Sequence, residues 1–183
     1  MEKTYLEILQ GFFKLLAFWK RNSAGRILER YGAIQEMVDA EVQSGKHGIH
    51  RLLLFQAHNC GGNFSIDCPK FVTCHFSSVK APFENKKKDY HKMELDAPTQ
   101  DILRILYRNK SITVHAADLD EGCLLRMAYE AEKIKHATLF FIRDSKRDFW
   151  FASVVSANEL NNLSDAGTKW TLRLLFNQIK QKL

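Results

Sequence analysis

The spacing of apolar residues along this chain changes character near Ile49. Before it, Tyr5, Ile8, Leu9, Phe12, Leu15, Leu16 and Trp19 recur at three- and four-residue steps, the stripe of an amphipathic helix. Lys20-Arg21-Asn22-Ser23 interrupts the stripe, and Asn22 or Ser23 carries the side-chain oxygen that caps a helix start. A second stripe, Ile27, Tyr31, Ile34, Val38 and Val42, runs towards Gly45 and Gly48, residues that suit a helix end. Two helices are therefore predicted. The first has more large aromatics than a solvent-facing helix needs, which suits packing on the core, on another subunit or on a membrane surface.

After Gly48 the pattern becomes mixed. Ile49 to Ala57 is a largely apolar run that reads as a buried strand. Lys70 to Val79 is rich in β-branched and aromatic residues and reads as a second strand. Lys80 to Asp96 is polar, carries Lys86-Lys87-Lys88, and predicts an exposed excursion. Pro98 suits the first turn of a helix whose apolar face is Ile102, Leu103, Leu106 and Tyr107. Ser111 to Ala116 is a short strand. Asp118 and Asp120 favour a helix start, with Leu124, Leu125, Ala128, Ala131 and Ile134 as its stripe. Ala137 to Ile142 and Phe149 to Val155 form two strands joined by the polar turn Arg143 to Asp148. Asn158 can cap a last helix faced by Leu163, Ala166, Trp170, Leu174 and Ile179.

This order predicts an α+β fold: a central antiparallel or mixed sheet of about five strands with helices packed on its faces. The strand–turn–strand near the end requires antiparallel pairing there. Residues 1–22 are expected to form a helical N-terminal extension and residues 23–183 one domain.

Composition narrows the class without naming a function. A chain of 183 residues, 45% hydrophobic and 26% charged, can bury one sizeable core. Its longest apolar stretch, Phe12 to Trp19, is interrupted by Lys14 and is too short to span a bilayer. No small-residue cleavage site follows it, so the expected location is cytoplasmic. Cys60, Cys68, Cys74 and Cys123 are then expected as free thiols. The net charge of +6 favours anionic ligands or partners in general.

One junction is chemically distinctive: Arg51-Leu52-Leu53-Leu54-Phe55-Gln56-Ala57 runs directly into His58-Asn59-Cys60-Gly61-Gly62. A core strand thus delivers an imidazole, an amide and an adaptable glycine loop to one sheet edge. These groups suit a phosphate, a carboxylate or a base edge, and the same residues also make an ordinary tight turn. Zinc is not expected, because the cysteines lack the short paired spacing of structural sites and Cys74 and His75 should point to opposite faces. Cys60 beside His58 leaves a thiol nucleophile conceivable. Asp118-Leu119-Asp120-Glu121 reads as helix-start acid rather than a metal site. The Lys86-Lys87-Lys88 run reads as a solvated loop, because nucleic-acid binding would want a broader basic face with interleaved aromatics. No complete catalytic motif is present.

The element order resembles that of a GAF domain. The junction just quoted resembles that of a GAF-like group from bacteria and phages in which the strand ends in His-Asn-Gly-Gly. Ser111 to His115, Ala137 to Ile142 and Phe149 to Val155 fit the same pattern, and the resemblance covers about residues 26 to 183. Cys60 departs from it. The resemblance implies a non-catalytic module that senses or sequesters a small molecule, with nucleotides and cyclic nucleotides among the ligands, and that forms homodimers through its terminal helices. It needs no resident cofactor or metal. If the family's pocket is present, its candidate ligand-binding residues are His58, Asn59, Gly61, Gly62, Phe71, Thr73, Tyr107, His115 and Arg143, with Arg143 as the partner for an anion. Strand alternation prevents all of these from lining one cavity. Two other readings remain: an interaction module without a ligand, and a thiol-dependent reductase of the kind one GAF-fold group provides. Neither nucleic acid nor membrane is an expected partner.

Overall fold

A computed structural model of the chain describes residues 2–60, 65, 69–145, 147–156 and 166–183, with side chains described from residue 23 onward. The helices are α1 (Glu2–Ser44), α2 (Ala97–Asn109), α3 (Leu124–Ala131) and α4 (Ala166–Lys182). The strands are β1 (Ile49–His58), β2 (Phe71–Val79), β3 (Met93–Glu94), β4 (Ser111–His115), β5 (His136–Asp144) and β6 (Asp148–Ser156). They form one sheet in the order β3-β2-β1-β6-β5-β4, and every neighbouring pair is antiparallel. Among the described residues no helix is long and apolar enough to cross a membrane.

Four expectations change. The two N-terminal helices are one, a 43-residue α1 that runs unbroken through Lys20-Arg21-Asn22-Ser23. None of those four residues is a proline or glycine, and each costs a helix interior only a few tenths of a kcal/mol. The aromatic stripe from Tyr5 to Trp19 lies outside the described side chains. Second, the Lys80 to Asp96 excursion is not simply exposed, because Tyr90 and Leu95 are buried and β3 pairs with β2. Third, α3 starts at Leu124 rather than at the aspartates. Gly122, with φ +81°, takes the left-handed turn that delays it, and the Cys123 sulfur caps it by accepting from the Arg126 N–H. Fourth, α4 buries Thr168, Leu172, Phe176 and Ile179, whereas Trp170 and Leu174 face outward. Asn158 and Leu163 lie outside the described residues.

The sheet separates two cores. On one face, Ile34, Val38 and Val42 of α1 and Leu172, Phe176 and Ile179 of α4 pack on Leu52, Leu54, Phe76, Phe140, Trp150 and Val154. On the other, Leu103 and Leu106 of α2 and Tyr129 of α3 pack on Leu53, Phe55, Val72, Leu139, Phe149 and Phe151. Each fully buried side chain of this size contributes about 1.5–3 kcal/mol. We call these the terminal-helix face and the inner face.

Alternation along β1 assigns Leu52 and Leu54 to the first face and Arg51, Leu53, Phe55 and Ala57 to the second. The β1–β2 register shifts so that Leu54 pairs with Phe76 while Phe55 pairs with Cys74. His75 is therefore an extra, bulged residue. A second shift between Phe141 and Arg143 leaves Ile142 extra in β5. Both bulges decide which face receives the polar residues beyond them.

Candidate functional site

The inner face and the helices above it enclose a cavity of about 50 Å³. Phe55, Val72, Leu139 and Phe151 form its floor, Ile102, Leu103 and Leu125 its helical roof, and Met93 and Leu95 one side. Its polar members are Arg51, Tyr90, Thr99, Tyr129 and Ser153. Asp96 holds the roof together. Its carboxylate accepts the Thr99 N–H at 3.1 Å, capping α2, and the Leu124 N–H at 2.8 Å, at the start of α3. Burial opposes ionisation of Asp96, but hydrogen bonds from Thr99 and Leu124 hold its pKa below the usual carboxylate value.

Arg51 is a cation in the middle of the sheet. Its guanidinium pairs with the Glu132 carboxylate just beyond α3, and the two side chains are only 4% and 7% exposed. The Tyr90 hydroxyl donates to the same carboxylate and accepts from Arg51 Nη2 at 3.3 Å. Burial pushes the Tyr90 phenol up to about 12 and the Tyr129 phenol also upward. Ser153 faces the Tyr129 hydroxyl without closing a hydrogen bond. The wall is thus polar yet electrically neutral.

Wider hollows exist at the surface. One of about 260 Å³ lies between Pro82, Phe83 and the segment from Glu132 to His136, with Lys133 and Lys135 among its lining residues. Both lysines are exposed. The inner cavity is the smaller space and is partly open, but its lining is mostly apolar and includes several buried polar groups, the usual form of a ligand site.

A second polar cluster sits where β1 ends. The Cys60 N–H donates to His58 Nδ1 at 3.2 Å, which leaves His58 Nε2 to donate to Thr73 Oγ1 at 2.9 Å. The exposed Cys60 has φ +49°, and its Sγ lies 3.7 Å from His58 Nδ1. His75 Nε2 donates to Gln56 Oε1 at 2.8 Å, and Gln56 Nε2 donates to Asp148 Oδ2 at 2.7 Å. Trp150 Nε1 also donates to Asp148 Oδ2, at 3.2 Å. Burial and the Lys92 charge lower the His58 pKa, and burial and the Lys87 charge lower that of His75 to about 4. Among the described residues no three His, Cys, Asp or Glu side chains converge as a metal set. Cys74 and Cys123 are buried, free thiols, and Cys68 lies outside the described residues.

The residues singled out from sequence fall into separate groups. His58, Phe71 and Thr73 come together, with the Phe71 ring 6.1 Å from His58. Asn59 accepts the Lys70 N–H at 2.9 Å across the base of the loop, and Gly61 and Gly62 lie outside the described residues. Arg143 is 3.9 Å from Asp148 at the same end of the sheet. Tyr107 stands over Phe141 and Phe149 and donates to Asp144. His115 is at the opposite end, exposed and paired across β4–β5 with His136. None of these lines the inner cavity. For His58 the parity of β1 is the reason, because Arg51 faces the cavity and His58, an odd number of residues away, does not. Sequence reading missed Arg51, Tyr90, Thr99, Tyr129, Glu132 and Ser153. Arg51 carried a usable signal: a lone charge entering an apolar strand needs a buried partner.

No protein-family model and no curated protein matches the chain. Solved structures do. The GAF domain region of a Geobacter sulfurreducens protein superposes with a TM-score of 0.60 at 16% identity, covering 88% of this chain and 97% of that one. The GAF domain of a Bacillus halodurans two-component sensor histidine kinase gives 0.55 at 9% identity, covering 80% and 90%. A phycocyanobilin-bound GAF domain of a cyanobacterial phytochrome gives 0.51 at 14% identity, covering 85% and 90%. The likeness establishes a GAF-like fold, as the element order suggested.

Two outcomes test this geometry. Glu132→Ala strands the Arg51 charge and should destabilise the protein by about 3–5 kcal/mol in urea unfolding, while joint Arg51→Met and Glu132→Leu replacement recovers most of that loss. His75 is held neutral in the fold, with a pKa of about 4 against an ordinary 6.5. The unfolded chain therefore binds the proton first as pH falls. Stability should be flat above about pH 6.5 and decline towards pH 4, with His75 responsible for about 1 kcal/mol at pH 5 after allowing for partial solvent access. The loss should shrink in His75→Gln when unfolding is measured across that range.

Proposed function

We propose that the chain is a non-catalytic, homodimeric GAF-like module that senses or sequesters a small molecule between the inner face of the sheet and helices α2 and α3. The supporting observation is the largely apolar cavity at that layer interface, roofed by two helices that one carboxylate ties together. The phycocyanobilin-bound GAF domain supports the same class of use. A drug-sized ligand occupies about 300–1,000 Å³. Nucleotides and cyclic nucleotides therefore require the roof to lift, whereas a smaller molecule enters the present cavity of about 50 Å³. The half-buried His58 cluster, at the other end of the same strand, is a second candidate recognition site, for an anionic group.

The homodimer rests on a separate observation. Leu28 is 72% and Trp170 63% exposed, on helices α1 and α4, which touch one another, and Ile27 and Leu174 add to this outward apolar surface. Exposed large apolar side chains on two neighbouring helices are what a dimer interface would cover.

A thermal-shift screen of metabolites, nucleotides and cyclic nucleotides tests the ligand. A binder present at 100 times its Kd should stabilise the protein by about 2.7 kcal/mol. The same compound should not raise the Tm of Ser153→Leu, whose larger side chain fills the cavity. An equal rise in that variant would move the site elsewhere. Sedimentation velocity tests the dimer: wild type should sediment as a dimer, and Leu28→Glu with Trp170→Glu as a folded monomer.

A further inference from the structure

The cavity's polar groups define what it can hold. Thr99 and Tyr129 are 5% and 4% exposed, and among the described residues neither hydroxyl closes a full hydrogen bond, although Thr99 lies against the Asp96 carboxylate and Tyr129 against Ser153. Both residues line the cavity. Buried hydroxyls are nearly always hydrogen-bonded, because a group taken from water otherwise has nothing in its place. Among the described lining residues the only charged side chain is Arg51, and its charge is already matched by Glu132. Tyr90 completes that pair from the side. The remaining lining is aliphatic or aromatic apart from Ser153.

From this we propose that the ligand is a small uncharged molecule, mostly apolar, whose single oxygen is held by the Thr99 and Tyr129 hydroxyls: a short-chain ketone or alcohol rather than a carboxylate or phosphate. The proposal rests on the cavity being the ligand site. An entering anion finds no spare cation. If it takes Arg51, it strands Glu132, and if it leaves the pair intact, it stays an unpaired charge among apolar walls. A ketone oxygen needs only a donor, and each hydroxyl supplies one. Its alkyl remainder fits against Phe55, Leu103 and Phe151. The anionic ligand suggested by the chain's +6 charge therefore does not belong to this space.

The test is a two-dimensional ¹H–¹⁵N NMR titration of the full chain with 2-butanone, butan-2-ol and sodium butyrate at matched concentration and pH 7.5. The expected result is saturable shifts at Thr99, Leu103, Tyr129 and Leu139 with the two uncharged probes and none there with butyrate. Thr99→Val and Tyr129→Phe should each weaken 2-butanone binding about five-fold, the scale of one lost hydrogen bond. Tyr129→Phe should unfold no more easily than wild type without a probe, since its hydroxyl closes no hydrogen bond among the described residues. Butyrate binding at those residues as tightly as 2-butanone would overturn the uncharged class and leave the cavity as the site. Shifts by 2-butanone confined to residues outside the cavity, or an absence of shifts with every probe, would overturn both.

Discussion

The buried pair of Arg51 and Glu132 constrains the rest of the molecule. Two opposite charges sit almost without solvent between a middle strand and the residue that ends α3. Taking each ion out of water costs several kcal/mol, so such a pair persists only when geometry and extra hydrogen bonds complete it. Tyr90 provides the completion and in doing so brings a polar excursion back onto the core. The pair is weak as a source of net stability. What it does is fix position: α3 cannot slide, nor can the excursion lift away, without uncovering a charge. The inner face keeps its shape for that reason, and Asp96 repeats the device at the other end of the roof.

The two faces of the sheet divide the chemistry. A strand offers its side chains alternately, so one residue of register determines whether a group meets the inner cavity or the terminal helices. His58 and Arg51 belong to one strand and serve different faces. The bulge at His75 turns its imidazole onto Gln56 and Trp150, joining a chain of hydrogen bonds to Asp148. The polar cluster at the end of β1 and the neutral wall inside are therefore separate environments with opposite demands on a ligand.

Much of the fold was legible because it is written in local pattern. The run from Arg51 to Ala57, the polar turn after Asp144 and the Asp96–Pro98 helix start each carry their own instruction over a few residues. The helix break at Lys20 to Ser23 was misread because polar residues interrupt an apolar stripe without interrupting a helix. The face of α4 was misread because Trp170 and Leu174 are large and apolar yet outward, a distinction that only the neighbouring sheet settles. The candidate inner cavity was least legible. Arg51 and Glu132 are 81 residues apart, Tyr90 lies in a stretch that reads as loop, and the bulge that sorts the faces leaves no mark in composition. The His58 junction was conspicuous, but conspicuous residues at a strand end reveal an edge, whereas a cavity is made by what several elements bring to the middle.

Helix α1 has a mechanical consequence. Its first described core contact is Tyr31 against Phe76 and its first fully buried anchor is Ile34, while the helix itself starts at Glu2. At 1.5 Å per residue the helix axis runs about 48 Å from Glu2 to that anchor. A tilt of roughly 5° where Ile34 and Val38 seat on the sheet sweeps the far end of such a rod through about 4 Å. The length of α1 therefore turns a small change in how Ile34 and Val38 seat on the sheet into a much larger displacement at Glu2.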